Sequence, residues 1–246
     1  MQHNGDHTTL VRYREGADGW RDRTRIFLSP VAAPSILGLF GFAGATFMVG
    51  AHLANWYGTP KSGIYLFPFA AMFGGVAQFL AGMWAYRARD GLATAMHGMW
   101  GSFWLAYGLL NLLAAVGAIV LPATGAFPEF GYWFIVLAVI TFLGFAAAMA
   151  ESIGLASVLF TLSIGSALFA IFNLTGTGGW DSVAGWFFMV SAWLATYTAG
   201  AMMLEGAYGR TILPLGKYTR EANVPGGRFT IPMQHEHGMP GVKVGQ

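Results

Sequence analysis

Residues 73–82, with the sequence FGGVAQFLAG, determine how the rest of this chain is interpreted. They lie inside a long apolar run, yet they include three glycines and a glutamine. Glycine weakens a helix, and a buried amide costs free energy unless it is hydrogen-bonded. Residues three and four apart share a helix face, which places Gly74, Gly75, Gln78 and Gly82 on one small and polar stripe. Because small residues allow membrane helices to approach closely, these glycines and Gly101 predict close helix packing.

The composition places this helix in a polytopic membrane protein. Of the 246 residues, 55% are hydrophobic and 10% are charged, whereas about a quarter of a soluble domain is charged. A helix needs about 20 largely apolar residues to cross the hydrocarbon of a bilayer. Apolar runs of that length, separated by turn-rich stretches, predict an all-α protein with six transmembrane helices. The predicted spans are residues 34–56, 63–86, 92–121, 130–150, 152–174 and 182–205.

Lysine and arginine residues are distributed unevenly between the two sides of the predicted bundle. They are concentrated in tails at residues 1–32 and 210–246 and in the loop between the second and third spans. Lys61 alone falls on the opposite side. Because positive residues favour the cytoplasmic side, we expect both tails in the cytoplasm. We expect residues 33–209 to form the transmembrane domain, in the inner or plasma membrane of the cell.

Several chemistries are disfavoured by the residue types and their positions. The absence of cysteine excludes disulfides, thiolate catalysis and cysteine-ligated metals. His52 and His97 are expected near opposite sides of the membrane, so they cannot ligate one haem iron. His235 and His237 lie in a tail rich in glycine and proline, which seldom holds a rigid metal site. We find no nucleophile–base pair at workable spacing. We therefore predict no cofactor, no metal and no enzymatic activity, and a net charge of +2 is too small to suggest nucleic acid.

Uncharged polar residues recur on one face of several predicted spans. No lysine or arginine lies deep in any span, which disfavours an intramembrane proton pump or a voltage sensor. Amide and hydroxyl donors could instead guide a carboxylate, while aromatic rings narrow its path. The candidates for the polar lining of such a pathway are Gln78, Asn111, Asn173 and Tyr197. Helix packing alone remains an alternative explanation of the stripe that carries Gln78.

Three motifs follow one another along the chain. The first is Gly-Gly-x-x-Gln-x-x-Ala-Gly at residues 74–82, and the second is Trp-Gly-Ser-Phe-Trp at residues 100–104. The third is YGRTILPLG at residues 208–216. In this order and spacing they resemble the acetate uptake transporter family, the succinate–acetate permease group that includes fungal ammonia/acetate exporter homologues. The resemblance covers roughly residues 33–217.

The resemblance implies an all-helical protomer of six spans, assembled as a homohexamer with one pathway in each protomer. Family members carry acetate, and in some cases succinate or other short carboxylates, together with protons. Their pathway narrows at three apolar or aromatic side chains, which correspond here to Phe42, Trp100 and Leu162. Trp100 stands where the family usually has tyrosine. Residues 33–39, APSILGL, stand where the family has Asn-Pro-Ala-Pro-Leu-Gly-Leu.

The residues and the resemblance together predict a transmembrane transporter or channel for acetate and related short-chain monocarboxylates, linked to protons. Acetic acid is small and partly apolar, so a dry constriction between polar vestibules suits it, whereas the acetate ion needs donors to offset dehydration. The expected partners are a small carboxylate, the lipid bilayer and further copies of the chain. Two alternatives remain open. One is a pore for another small solute such as succinate, formate, lactate or ammonia, and the other is a structural subunit of a membrane complex that transports nothing.

Overall fold

A computed structural model describes residues 31–59 and 61–218. The two predicted tails lie almost wholly outside the described residues, and so do His235 and His237. The described part of the chain contains helices and no strand, which confirms the all-α prediction. Six helices follow one another in this part: α1 (Pro34–Leu53), α2 (Ser62–Ala88), α3 (Gly91–Ala115), α4 (Pro128–Ala148), α5 (Ile153–Thr175) and α6 (Trp180–Tyr208).

The predicted spans match these helices within a few residues, except at the end of α3. The sequence predicts a third span that continues to residue 121, whereas α3 ends at Ala115. Gly117 has φ = 76°, a left-handed conformation that commonly ends helices. The Ala118 amide then donates to the Leu113 carbonyl at 2.9 Å, which closes the turn. The predicted span was too long at this end because apolar residues continue beyond Gly117.

α2 contains a π-helical segment within an otherwise α-helical span. Residues Ser62–Phe69 and Gln78–Ala88 are α-helical, and Ala70–Ala77 between them are π-helical. Pro68 lies two residues before this segment. Proline disturbs a helix because it lacks an amide proton and its ring crowds the carbonyl one turn earlier. The π-helical segment carries the two adjacent glycines of the first motif, and such segments are frequent at functional sites.

The six helices form a ring around a core of aromatic side chains. Neighbours in the ring follow the order α3, α2, α1, α6, α5, α4, and the contact between α3 and α4 that closes the ring is sparse. Because short turns join α2 to α3 and α4 to α5, these helices run antiparallel. We name the side on which α1 begins and α6 ends the tail side, and the opposite side the loop side. The aromatic part of the core includes Trp100, Phe103, Phe134, Phe169 and Phe188.

The outside of the ring is apolar. α1, α2, α4, α5 and α6 are each long and apolar enough to cross a membrane. α3 has 25 residues, a length of about 38 Å, but it carries more polar side chains. Among these, His97 and Asn111 are buried inside the ring. Large side chains such as Phe69, Trp84 and Trp193 are exposed on the outside, as expected for a surface that faces lipid.

Two short turns bring carboxylates to the tail side of the ring. Asp90 caps α3, where its Oδ1 accepts from the Ala93 amide at 2.8 Å. Ser152 caps α5, where its Oγ accepts from the Leu155 amide at 3.3 Å. Glu151 immediately precedes that cap. The turns therefore position Asp90 and Glu151 at the tail-side ends of α3 and α5.

Candidate functional site

The three side chains predicted to narrow a pathway belong to three different helices and meet in the core. Phe42 in α1, Trp100 in α3 and Leu162 in α5 are each 2% exposed. The Phe42 and Trp100 rings pack edge to face, with centroids 6.2 Å apart. Trp100 and Leu162 line two cavities, one on the tail side and one on the loop side. These two side chains therefore form the partition between the cavities.

The tail-side cavity is small and partly polar. Its volume is about 30 Å³, which is enough for about one water molecule. Phe42 lines this cavity but not the other. The polar and charged side chains in its wall are Ser35, Gln78, Asp90, His97 and Glu151.

The loop-side cavity is larger and mostly aromatic. Its volume is about 200 Å³, and since liquid water occupies about 30 Å³ per molecule, it has room for several waters or a small organic solute. Polar side chains in its wall are Thr46, His52, Trp104, Tyr107 and Asn111. The phenylalanines in its wall are Phe103, Phe127, Phe130, Phe134, Phe169 and Phe188.

The Trp100 indole is held in one orientation by its neighbours. Its Nε1 donates to Thr141 Oγ1 in α4 at 3.0 Å. Its ring packs edge to face against Phe103, with centroids 5.3 Å apart. The hydrogen bond links α3 to α4, the two neighbouring helices of the ring that contact each other least. Because Thr141 occupies the indole N–H, Trp100 offers a solute its bulk and its ring face rather than a donor.

Gln78 and His97 lie together in the wall of the tail-side cavity. Gln78 Nε2 is 3.5 Å from His97 Nδ1, at the limit of hydrogen-bonding distance, and both side chains are buried. The His97 ring packs over Gly38 in α1, where an added Cβ would lie 2.5 Å from Nδ1. Gln78 Oε1 has no hydrogen-bonding partner among the described residues. A buried oxygen of this kind is costly to leave unpaired.

The other three predicted polar residues have different surroundings. Asn111 lines the loop-side cavity, and its Nδ2 donates to the Tyr107 carbonyl at 2.9 Å. Asn173 lines neither cavity. Both ends of its amide are hydrogen-bonded to the backbone: Nδ2 donates to the Phe169 carbonyl at 2.8 Å, and Oδ1 accepts from the Phe127 amide at 3.3 Å. Tyr197 also lines neither cavity. It is 41% exposed, and its hydroxyl donates a hydrogen bond of 2.7 Å to the Pro214 carbonyl. We therefore leave Asn173 and Tyr197 out of the pathway proposed below.

The four glycines assigned to helix packing lie where α2 and α3 approach closely. A Cβ at Gly82 would lie 2.5 Å from a backbone nitrogen of α3, and one at Gly101 would lie 2.6 Å from a backbone nitrogen of α2. Backbone atoms cannot move aside as a flexible side chain can. Cβ atoms at Gly74 and Gly75 would meet side chains of α3 at 2.6 and 2.9 Å. A larger residue at Gly82 or Gly101 would therefore force the two helices apart, whereas one at Gly74 or Gly75 would first displace the neighbouring side chains of α3.

Two further polar residues in the loop-side wall were not among those predicted. Thr46 Oγ1 and Trp104 Nε1 have no hydrogen-bonding partner within the part of the chain that the structure describes. Both side chains are 3% exposed. Helical spacing could have identified them, because each lies four residues beyond a predicted constriction residue, Phe42 or Trp100, on the same helix face.

Comparison with known proteins identifies the family. A sequence profile of the GPR1/FUN34/yaaH family matches residues 24–214, most of the chain. This protein belongs to the GPR1/FUN34/yaaH family. The resemblance to an acetate transporter family that the three motifs predict is thereby confirmed.

Relatives within the GPR1/FUN34/yaaH family match most of this chain. The succinate-acetate/proton symporter SatP of Escherichia coli K12 is 29% identical over 188 residues, which cover 76% of this chain and 96% of SatP. Ammonia transport outward protein 2 of Saccharomyces cerevisiae is 26% identical over 181 residues, which cover 69% of this chain and 61% of that protein. The fold is similar to the solved structure of the bacterial acetate channel SatP. The TM-score is 0.69 with 27% identity, covering 76% of this chain and 99% of the other.

In this member of the GPR1/FUN34/yaaH family, the third motif is a structural element of the tail side. The Gly216 carbonyl accepts from the Ile153 amide at 3.1 Å, and the Leu215 carbonyl accepts from the Gly154 amide at 2.9 Å. These are the first amides of α5, which have no partner inside their own helix. The motif therefore holds the start of α5 beside Glu151, in the wall of the tail-side cavity.

Proposed function

We propose that this protein is a multi-pass membrane transporter or channel for acetate and related short-chain monocarboxylates, linked to protons. Selection takes place at Phe42, Trp100 and Leu162. The observation that carries the proposal is the pair of cavities on opposite sides of Trp100 and Leu162. A purely structural subunit would gain nothing from them, because internal cavities and unpaired polar atoms both reduce stability. The names of the bacterial relatives support acetate as the solute.

Proton linkage follows from dehydration at the partition. A carboxylate that crosses between Phe42, Trp100 and Leu162 loses its water shell among apolar side chains, at a large cost in free energy. Undissociated acetic acid carries no charge and loses much less. We therefore infer that the solute passes the partition as the acid, so that one proton accompanies each acetate. Asp90, His97 and Glu151 provide groups on the tail side with which the solute can exchange that proton.

Uptake of labelled acetate by proteoliposomes tests the proposal. The protein should accelerate uptake along an imposed pH gradient above the rate of protein-free liposomes, which measure permeation of acetic acid through lipid. Leu162→Trp is a blocking variant that serves as a negative control, because the larger ring should close the pathway at the partition and return uptake to the protein-free rate. Size-exclusion chromatography checks that this variant is folded. Uptake at the protein-free rate by the wild type, for both directions of the gradient, would refute the proposal.

A competition series tests the solute. Unlabelled formate and acetate should inhibit labelled acetate uptake most strongly, and lactate should inhibit it less. Succinate should inhibit least, because it is longer and doubly charged and the Trp100 ring is bulky. The yeast relative named for ammonia transport makes ammonium the informative competitor. Transport of ammonium in preference to acetate would replace the acetate proposal with the alternative of an ammonia pore.

We also infer that the tail side faces the cytoplasm. Arg87 is exposed at the tail-side end of α2, whereas Lys61 is exposed on the loop side, a distribution that fits the preference of positive residues for the cytoplasm. The chain has no cysteine, so single-cysteine variants carry no background. Lys61→Cys should react with a membrane-impermeant maleimide in intact cells, and Arg87→Cys only after permeabilisation. The reverse result would invert the topology.

We propose a homohexamer as the assembled form, on the basis of the family resemblance. Bulky apolar side chains of α2, including Phe69, Phe73 and Trp84, are exposed in the single chain and are available to a neighbouring protomer or to lipid. Native mass spectrometry of the purified protein should give six copies. A stable monomer across detergents would contradict this assembly without affecting the pathway, which lies within one chain.

A further inference from the structure

The connection between α3 and α4, residues 116–127, forms part of the wall of the loop-side cavity. Its residues in that wall are Leu121, Gly125 and Phe127, whereas the other wall residues belong to helices. Because α3 ends and α4 begins on the loop side, this connection lies at the outer end of the cavity. A solute that enters from the loop side therefore passes beside it.

The connection is weakly attached to the rest of the bundle. The Val120 side chain is 94% exposed. In the part of the chain that the structure describes, one hydrogen bond joins residues 116–127 to a helix other than α3 and α4. It runs from the Phe127 amide to Asn173 Oδ1 in α5, at 3.3 Å. The other hydrogen bonds of the connection are internal or reach the adjoining turns of α3 and α4.

Asn173 is oriented to accept that bond. Its side chain is 2% exposed, and its Nδ2 donates to the Phe169 carbonyl at 2.8 Å, which fixes the amide with Oδ1 toward the connection. The Phe127 ring stacks on Phe130, with centroids 5.0 Å apart. A neutral hydrogen bond contributes only modestly to stability. The attachment at Phe127 can therefore break and re-form without unfolding the bundle.

Gly117 lies at the start of the connection and Gly125 near its end. They have φ = 76° and 70°, and an added Cβ at either position would meet nothing within 4 Å. The Gly125 amide also closes a turn by donating to the Pro122 carbonyl at 2.9 Å. Because glycine moves between left-handed and right-handed φ at little cost, and space is open around both positions, the connection can pivot at its two ends.

We propose that residues 116–127 form a lid over the loop-side cavity, hinged at Gly117 and held closed by the bond from the Phe127 amide to Asn173. This inference rests on the proposed function, because it adds a closable entrance to the proposed pathway. Asn173 is a positioning residue, since it lines neither cavity and acts through Phe127, which lines the loop-side cavity. The lid is a second barrier, in series with the partition formed by Trp100 and Leu162.

The rate at which a cysteine inside the cavity is modified measures opening of the lid. Val49 in α1 lines the loop-side cavity and is partly buried, and the chain has no cysteine of its own. Purified Val49→Cys protein is treated with sulfonatoethyl methanethiosulfonate, a charged reagent larger than acetate, and modification is followed by intact-protein mass spectrometry. Adding Asn173→Leu should accelerate modification about fivefold, because the lid loses its bond to α5.

Two further variants test the lid and its attachment separately. Gly125→Ala should also accelerate modification about fivefold, because alanine disfavours the left-handed turn of the closed lid. Asn173→Asp is isosteric and keeps an oxygen for the Phe127 amide, so it should retain the slow rate of the Val49→Cys parent. A merely structural effect of losing the amide would appear in Asn173→Asp as well as in Asn173→Leu.

Gly176→Ala is the matched control for Gly125→Ala. Gly176 also lies on the loop side, has φ = 64°, and has no atom within 4 Å of an added Cβ, but it does not line the cavity. The same backbone strain is thus placed outside the lid, and the modification rate should stay at that of the parent. Size-exclusion chromatography checks that each variant is folded.

Three results would overturn the lid. They are parental modification rates in both Asn173→Leu and Gly125→Ala, an equal acceleration in Gly176→Ala, and an acceleration in Asn173→Asp as large as that in Asn173→Leu. Modification does not require transport, so the two proposals fail separately. Lid-dependent modification without acetate uptake would refute transport and keep the lid, and uptake with parental modification rates in the lid variants would refute the lid and keep transport.

Discussion

The two cavities that meet at Trp100 differ in size and in chemistry. The tail-side cavity, of about 30 Å³, has two carboxylates in its wall, together with Gln78 and His97. The loop-side cavity, of about 200 Å³, has a largely aromatic wall with a few polar side chains and no carboxylate. Carboxyl groups that can exchange a proton with a solute therefore line the tail-side cavity and not the loop-side cavity.

The three predicted constriction residues do not lie equally between the cavities. Trp100 and Leu162 line both cavities and form the partition, while Phe42 lines only the tail-side cavity. Trp100 is the partition residue with a hydrogen bond that orients it, to Thr141. The separation of the two cavities thus depends mainly on the Trp100 indole ring. Substitutions at and around that ring are the most direct way to remove the difference.

Trp100→Ala should have the largest effect, because it joins the two cavities. We expect acetate uptake to rise about tenfold, which corresponds to a barrier about 1.4 kcal/mol lower, and lactate and succinate to begin to pass. The measurement is proteoliposome uptake of each labelled solute. Trp100→Phe keeps most of the bulk and should remain close to the wild type in selectivity. An unchanged solute profile in the alanine variant would remove Trp100 from the partition.

Gln78→Met should have the next largest effect, and it tests the tail-side cavity alone. Methionine keeps the length of the side chain but cannot offer an amide to a solute. Losing one hydrogen bond of about 1 kcal/mol should lower uptake about fivefold. The unfolding temperature separates the two explanations of this residue. It should change little, since Gln78 Oε1 has no partner in the described structure and Nε2 lies 3.5 Å from His97 Nδ1, at the limit of hydrogen bonding. A marked drop with normal uptake per folded protein would assign Gln78 to helix packing.

Much of the fold could be predicted because its signals are local. Apolar length and turn residues are visible in any one segment, and the six helices follow them within a few residues. The end of α3 was missed because Gly117 stops the helix by its backbone conformation while apolar residues continue. The π-helical segment after Pro68 was missed because a helix can accommodate a proline in several ways, and tertiary packing selects among them.

The site could be predicted only in part, because a polar residue reveals little until its partners are known. Asn173 and Tyr197 are of residue types that could line a pathway, yet their polar side-chain atoms are hydrogen-bonded to backbone groups. The polar atoms of Thr46 and Trp104, by contrast, have no hydrogen-bonding partner among the described residues. Whether a side chain is satisfied internally depends on contacts between distant segments, and one sequence does not contain that information.

Thr141→Val should have a moderate effect, because it releases Trp100 without removing it. The variant leaves the buried indole N–H unpaired, which should lower the free energy of unfolding by about 1–3 kcal/mol. Thermal unfolding in detergent measures this loss. Because the ring keeps its bulk, selectivity for acetate over succinate should decline less than in Trp100→Ala. An unfolding temperature equal to that of the wild type would show that the 3.0 Å contact contributes nothing to closing the ring of helices.

Glu205→Gln should have the smallest effect, because the residue is on the tail side but outside both cavities. Glu205 Oε2 accepts from Lys217 Nζ at 3.0 Å, with the two side chains 20% and 31% exposed. Partly exposed ion pairs of this kind contribute at most about 1 kcal/mol, and salt screens them. Unfolding should therefore shift slightly at low salt and less at high salt, while acetate uptake stays at the wild-type rate. A clear loss of uptake would instead mean that the segment after α6 shapes the tail-side wall through Glu151. The contrast between the two cavities would then depend on the third motif as well as on Trp100.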